Sequence, residues 1–111
     1  MFVNISISLT DTGSALHAKL EGEIDAYTAP KVKESLQPYA EKAEVKMFVD
    51  LTDVSYMDST GLGVFVGLFK TLKSVNGDLI LTGLSDRLKR LFEITGLADV
   101  MNINTEVEGG V

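Results

Sequence analysis

The sequence predicts an α/β fold in which a mixed, mostly parallel β-sheet begins with an N-terminal hairpin and has helices packed on it, in the order β-β-α-β-α-β-α-β. Two early segments alternate apolar and polar residues, as half-buried strands do. Beyond them, amphipathic helical stripes alternate with short apolar runs, which favours parallel strands joined by crossover helices. The chain has 111 residues, of which 45% are hydrophobic, and this fits one domain spanning residues 1–111.

The opening hairpin is predicted from residues 3–9 and 16–24. The odd positions of the first segment are apolar and the even positions polar. Residues 10–13 read Thr-Asp-Thr-Gly, which is typical turn chemistry. Alternation resumes at residue 16, and we expect the second strand to end near Ile24. His17 falls on the polar face of that strand, where we expect a solvated side chain.

The first helix is predicted to begin at Thr28, which can cap it. Pro30 follows in the first turn, where a missing N–H is tolerated. Pro38 lies inside the helical stripe and should kink or shorten the helix, because it donates no hydrogen bond and crowds the preceding turn. The apolar positions of this stripe are Val32, Leu36, Tyr39, Ala40 and Ala43.

The middle of the chain predicts a central strand over residues 45–51, a loop over 52–58 and the longest helix over 59–75. The dipeptide at residues 76–77, Asn-Gly, is a typical helix stop. One apolar stripe of the helix is predicted to face the core, with some apolar surface off the stripe left for docking. Its members are Leu62, Phe65, Val66, Phe69 and Leu72, and the residues partly off it are Val64 and Leu68.

The last third of the chain predicts a short buried strand at residues 79–81 and a third helix over 85–95. Ser85 is expected to cap this helix and Gly96 to end it. The basic side chains of the second and third helices are expected to be solvated. A weak final strand is predicted over residues 100–107, followed by a frayed end.

The predicted topology brings three loops to one edge of the sheet. They cover residues 23–30, 53–59 and 83–85, and each follows a strand of the parallel part. Ligands and partners of open α/β sheets usually meet that edge. We therefore expect the functional site there.

Composition excludes several classes of function. The chain has no cysteine, which excludes disulfides, thiolate metal sites and thiol catalysis. Its net charge of −6 and pI near 4.6 argue against nucleic acid and anionic membranes as partners. The longest mostly apolar stretch, residues 62–69, is far shorter than the roughly 18 residues of a membrane span. With no signal-peptide pattern, we expect a cytoplasmic domain without metal or cofactor.

The start of the longest helix is the most informative segment. Ser59 and Thr60 stand where backbone N–H groups are unpaired and the helix dipole favours negative charge. A phosphate on Ser59 would interact favourably with both the unpaired N–H groups and the helix dipole. In the alternative interpretation, Asp58 or Ser59 only caps the helix. Glycine at positions 61 and 63 is unfavourable in a helix and predicts close approach of another group there.

Three segments resemble those of a known family. Residues 56–64, Tyr-Met-Asp-Ser-Thr-Gly-Leu-Gly-Val, resemble the phosphorylation-site motif of anti-sigma factor antagonists, which are single STAS-domain proteins of bacterial partner-switching pathways. Residues 22–30 resemble the exit of that family's second strand, and residues 87–97 its third helix. The segments come in the family's order, and the similarity covers nearly the whole chain. The branch that the chain most resembles is that of the general-stress (sigma-B) pathway of Gram-positive bacteria.

The resemblance implies a mechanism. The unphosphorylated protein would bind an anti-sigma factor that is also a serine kinase, and so release the sigma factor. The kinase would phosphorylate Ser59, with Thr60 as the second candidate, and a PP2C-type phosphatase would reverse the modification. The partner-binding residues it implies are Asp25, Tyr27, Met57, Asp58, Ser59, Thr60, Gly61 and Leu62. Asp25 has an alternative role as a loop residue that hydrogen-bonds its own backbone, and one of Tyr56 and Met57 is expected to be buried.

Other functions were weighed against this one. Residues 61–67 have a G-x-G-x-x-x-G spacing, which departs from the dinucleotide fingerprint. Asp50 or Asp58 could accept a phosphoryl group as in a receiver domain, but the early acidic pair of that chemistry is missing. A STAS scaffold or ligand-sensing module is the main alternative, although such members usually carry further domains. No acid–base–nucleophile set is assembled, so we expect no enzyme.

Overall fold

The structure is a computed structural model and describes residues 4–103. A five-stranded sheet has the order β1-β2-β3-β4-β5. The first two strands are antiparallel and all later neighbours are parallel, which confirms the predicted fold class. The strands are β1 Ile5–Asp11, β2 Ala15–Ile24, β3 Lys46–Met57, β4 Asp78–Thr82 and β5 Asn102–Ile103. The helices are α1 Ala29–Ala40, α2 Ser59–Ser74 and α3 Asp86–Ile94, and a 3₁₀ turn covers Leu97–Asp99.

The core lies between one face of the sheet and the helices. Inward residues alternate along β2 and the first half of β3, as the pleat of a strand requires. The largest fully buried side chains include Leu16, Leu20, Met47 and Leu51 from the sheet and Leu36, Phe65, Leu72 and Phe92 from the helices. On the other face, exposed His17 stacks on Phe48 with ring centroids 4.8 Å apart. No helix within residues 4–103 is long and apolar enough to cross a membrane.

The helices begin and end close to where the sequence predicts. Pro30 lies in the first turn of α1, and the helix ends at Ala40, two residues beyond Pro38. The N–H of Gly77 donates to the carbonyl of Leu72 at 2.7 Å and closes the end of α2. The hydroxyl of Ser85 accepts from the N–H of Leu88 at 3.2 Å, which confirms the predicted cap of α3.

The predicted loop over residues 52–58 is wrong, because β3 continues through Met57. Lys19 pairs with Asp50, but Glu21 pairs with Asp53 and Glu23 with Tyr56. Each of these shifts inserts one extra residue into β3 relative to β2. Beyond Leu51, buried and exposed residues therefore no longer alternate. The sequence there lacks the period of two that predicts a strand.

The predicted final strand over residues 100–107 is seen only as the two residues of β5. Val100 precedes the strand and is exposed, while Met101 is buried in the core. Residues 104–107 and the chain end lie outside the described residues. The strand nevertheless pairs in parallel with β4, as predicted.

We predict that Gly22→Ala strongly destabilises the fold, because Gly22 positions the end of β2. Its φ is +119°, and an added Cβ would lie 2.3 Å from the backbone oxygen of Asn4. That oxygen also accepts from the N–H of Glu23 at 3.0 Å, so β1 cannot move away freely. The measurement is the free energy of unfolding in urea.

The matched control for this prediction is Gly13→Ala. Gly13 also has a positive φ, +94°, but an added Cβ would meet nothing within 4 Å. This variant should lose only the backbone term, about 1–2 kcal/mol. Equal losses in the two variants would contradict the proposed clash with β1.

Candidate functional site

The ends of β2 and β3 meet at the predicted edge of the sheet. The N–H of Asp58 donates to the carbonyl of Ile24 at 3.2 Å, which ties the end of β3 to the end of β2. Helix α2 begins with the next residue, Ser59. The loop between β3 and α2 is thus reduced to one residue, and Ser59 is held at a fixed place beside the β2–α1 loop.

Asp58 is the N-cap of α2, which decides between the two capping candidates. Its Oδ1 accepts from the N–H of Thr60 at 2.9 Å and from that of Gly61 at 3.1 Å. The N–H of Leu62 donates to the Asp58 carbonyl at 3.0 Å. Most of the N–H groups that a phosphate on Ser59 was expected to meet are therefore already used by Asp58.

The side chain of Ser59 is exposed. Within residues 4–103 its hydroxyl makes no hydrogen bond, since the cap is supplied by its neighbour. Thr60, the second candidate acceptor, is exposed as well. Both hydroxyls are thus accessible to a modifying enzyme.

The β2–α1 loop is organised by Asp25 and Thr28. Oδ1 of Asp25 accepts from the N–H groups of Tyr27 at 2.9 Å and Thr28 at 3.1 Å. The Thr28 hydroxyl is buried, donates to the carbonyl of Glu23 at 2.7 Å and accepts from the N–H of Asp25 at 2.9 Å. The predicted side-chain cap by Thr28 is therefore wrong, because its hydroxyl closes the loop instead.

These contacts give Asp25 the structural role that was one of its two predicted alternatives. The loop they hold projects Tyr27, which is 63% exposed. An exposed tyrosine on a well-ordered turn beside Ser59 is available to a partner surface.

Gly61 is a position of close approach, as predicted. An added Cβ would lie 2.6 Å from Cγ2 and 2.8 Å from the carbonyl oxygen of Ile24, and 2.9 Å from Cγ of Met57. At Gly63 no group of the described residues approaches, since an added Cβ there would meet nothing within 4 Å, and the alternative of a partner surface stays a prediction. The second glycine therefore faces open space on the exposed side of α2.

The apolar residues around Ser59 divide into buried and exposed ones. Met57 and Leu62 are each only 7% exposed, whereas Tyr56 is 43% exposed. This bears out the expectation that one residue of the Tyr56–Met57 pair is buried. Tyr56 was missing from the implied partner-binding set. No local pattern marks it, because the two residues inserted into β3 break the alternation beyond Leu51.

The core face of α2 differs in detail from the predicted stripe. Leu68 is buried, while Val66 and Phe69 are only partly buried. Val66 and Phe69 do pack against the core, as predicted, but the prediction that Leu68 lies at the margin is wrong. The buried side chains of α2 are thus Leu62, Phe65, Leu68 and Leu72, which recur at helical spacing.

The carboxylates near the site are engaged separately. Asp53 pairs with Lys19 at 3.2 Å, and this hydrogen bond raises the pKa of Lys19. Asp50 accepts from the N–H of Thr52 at 2.9 Å. Within residues 4–103 no three His, Asp or Glu side chains form a group able to hold a metal ion. Asp58, the residue before Ser59, has a negative charge that no salt bridge within the described residues neutralises.

Comparisons with known proteins identify the family of this chain. The STAS domain family model matches residues 6–110. The chain is 57% identical over 109 residues to the anti-sigma-B factor antagonist of Listeria monocytogenes, covering 98% of this chain and 94% of that protein. It is 49% identical to the anti-sigma-B factor antagonist of Bacillus subtilis, and the match covers 98% of this chain and 99% of that protein. The Staphylococcus aureus protein of the same name is 46% identical, with 96% and 100% covered.

Solved structures share the fold. The anti-sigma factor antagonist SpoIIAA in its unphosphorylated form has a TM-score of 0.74 and 21% identity, covering 93% of this chain and 91% of that one. The phosphorylated form of the Bacillus cell fate determinant SpoIIAA has a TM-score of 0.71 and 24% identity, covering 91% and 93%. At these identities the likeness concerns the fold.

We predict opposite effects on stability for alanine at the two glycines. Gly61→Ala should destabilise the fold, since its Cβ would collide with Ile24 and Met57. Gly63→Ala should stabilise it by up to about 1 kcal/mol, because alanine is the better helix former. Urea denaturation measures both, and a stabilised Gly61→Ala variant would contradict the close packing.

We also predict that Asp58→Ala lowers the free energy of unfolding by about 1 kcal/mol, through loss of the cap. Asp58→Asn keeps an oxygen acceptor at the same place and serves as the control. It should retain most of the stability. If thermal or urea unfolding finds the alanine and asparagine variants equal, the cap does not act as described.

Proposed function

This chain belongs to the STAS-domain family and to its anti-sigma factor antagonists, and we propose that it works as a binding switch controlled by phosphorylation. Its unphosphorylated form binds an anti-sigma factor that is also a serine kinase, and the bound factor then releases its sigma factor. Phosphorylation of Ser59 abolishes binding, and a PP2C-type phosphatase restores it. The chain is a substrate and a ligand in this scheme, not an enzyme. It meets its partner in the cytoplasm.

The observation that carries the proposal is the position of Ser59. It is exposed at the first residue of α2, immediately after the capping Asp58. The bond between Asp58 and Ile24 keeps this residue beside the β2–α1 loop. A kinase can reach the hydroxyl without unfolding any element, and a partner covering this edge must cover the hydroxyl too.

Two exposed tyrosines support a protein partner at the same edge. Tyr27 is 63% exposed and Tyr56 is 43% exposed. Aromatic residues with a polar tip are enriched in protein interfaces. Together with Ser59 and Thr60 they provide contact area on both sides of the helix start.

Electrostatics supports a local block by phosphate. A phosphate adds about −1.5 to −2 charges at neutral pH. The N–H groups of Thr60 and Gly61 already donate to Asp58, so they are not free to neutralise it. The phosphate would therefore stand next to a carboxylate and face outward. In an interface, such added charge disrupts binding by desolvation and like-charge repulsion.

Ser59 variants test the proposal against the anti-sigma-B factor of Listeria monocytogenes as a probe. Ser59→Ala is expected to bind like the unmodified protein and to resist phosphorylation. Ser59→Asp is expected to lose binding, because it places a charge at the blocked position. Isothermal titration calorimetry measures binding, and intact mass after incubation with ATP detects the gain of about 80 Da that one phosphate brings.

Controls separate a local block from unfolding. Ser59→Asp should keep the circular dichroism spectrum and the cooperative melt of the wild type, and Ser59→Asn controls for a bulkier neutral side chain. A mass gain retained in Ser59→Ala would move the acceptor to Thr60 or elsewhere. Absence of both binding and phosphorylation in the wild type would reject the switch and favour a scaffold or sensing module.

A further inference from the structure

We propose that the exposed face of α3 is a second contact surface for the anti-sigma factor, and that it takes an apolar side chain flanked by carboxylates. The α3 face is defined here as Arg87, Arg90, Leu91 and Ile94. The inference rests on the function proposed above. It extends the partner surface beyond the phosphorylation loop to a helix whose basic residues the sequence alone assigns to solvent.

A groove between α3 and the end of β3 provides the geometry. Its volume is about 190 Å³, and Met57, Leu88 and the four residues of the α3 face line it. Ile94, at the end of the helix, is 76% exposed. A large aliphatic side chain this exposed, next to an apolar groove, marks a place where a partner can bury surface.

Of the α3 face, only Leu91 packs against the core, and it is partly buried. Leu88 and Phe92 are the buried residues of α3 and fix it in the core. Arg87, Arg90 and Ile94 lie on exposed positions around them. Packing within the described residues therefore does not account for an isoleucine at position 94.

Met57 connects the groove with the first turn of α2, the helix that begins at Ser59. This side chain lines the groove, and its Cγ also lies 2.9 Å from where a Cβ on Gly61 would be. One side chain thus borders both the first turn of α2 and the α3 face. Met57 also stands two residues before Ser59 in the chain, which places the groove near the start of α2.

The positive charges of the α3 face indicate which kind of partner segment it binds. Within residues 4–103 the salt bridges are made by Lys19, Lys42 and Lys73, so Arg87 and Arg90 have no such partner there. Asp86 and Glu93 lie on the same helix, but neither forms a salt bridge with them. In a chain of net charge −6, two unpaired guanidinium groups beside an apolar groove complement a segment with carboxylates around an apolar residue.

The α3 face and the phosphorylation loop have separate roles in this scheme. A phosphate on Ser59 would block the loop, while the basic groove would remain unchanged. The groove supplies affinity and salt-sensitive association, and the loop supplies control. Substitutions on the α3 face should therefore weaken binding without removing the effect of a charge at position 59.

The test measures binding of the Listeria monocytogenes anti-sigma-B factor to the full chain by calorimetry at two salt concentrations. The double variant Arg87→Glu/Arg90→Glu should bind about tenfold more weakly or worse and lose salt sensitivity, and Ile94→Ser should weaken binding severalfold. The double variant Lys46→Glu/Lys70→Glu, which changes the net charge by the same amount, and Leu9→Ser are the matched controls, since these residues are exposed and none of them lines the groove. Thermal melts should be unchanged, because all substituted positions are at the surface.

The outcomes separate this inference from the function on which it rests. Wild-type affinity in both α3 variants, with Ser59→Asp still inactive, would overturn the second surface and leave the switch intact. Equal weakening by the controls would show a general charge or solubility effect and would also overturn it. No binding by the wild type would reject the proposed function and this inference together.

Discussion

The close contact between the first turn of α2 and the end of β2 is the constraint on which the rest of the site depends. An added Cβ at Gly61 would lie 2.6 Å from Ile24, and the neighbouring N–H of Asp58 is bonded to the Ile24 carbonyl. Any larger residue at position 61 would push the helix away from the sheet. Because of this contact, the start of α2 cannot shift relative to the ends of β2 and β3. Ser59 therefore has a fixed position.

The same geometry assigns different tasks to neighbouring polar residues. The carboxylate of Asp58 accepts hydrogen bonds from the first N–H groups of α2. Ser59 is exposed, and its hydroxyl makes no hydrogen bond within residues 4–103. A fixed acidic neighbour makes position 59 sensitive to added charge. In the proposed switch, one phosphate changes the net charge of −6 only a little, so control would come from where that phosphate is attached.

Much of this arrangement could be predicted from local patterns. The alternation in the hairpin, the amphipathic stripes and the caps at Ser85 and Gly96 are local signals, and each is found where it was predicted. The candidate site was predicted from the resemblance of residues 56–64 to the family's motif, since an aspartate and a serine at a helix start by themselves also fit a simple cap. The length of β3, the role of Thr28 and the exposure of Tyr56 were not, since each depends on residues distant along the chain.

The sequence by itself determined the order of the elements, the parallel part of the sheet and the position of the Asp-Ser-Thr-Gly segment at a helix start. These follow from periodicity and capping, which act over one or two turns. Only the tertiary structure decided that β3 runs to Met57, because its pairing with β2 contains two inserted residues. Only the tertiary structure brought α3 against Met57, since a groove between a helix and a strand end exists only once both are packed on the same core.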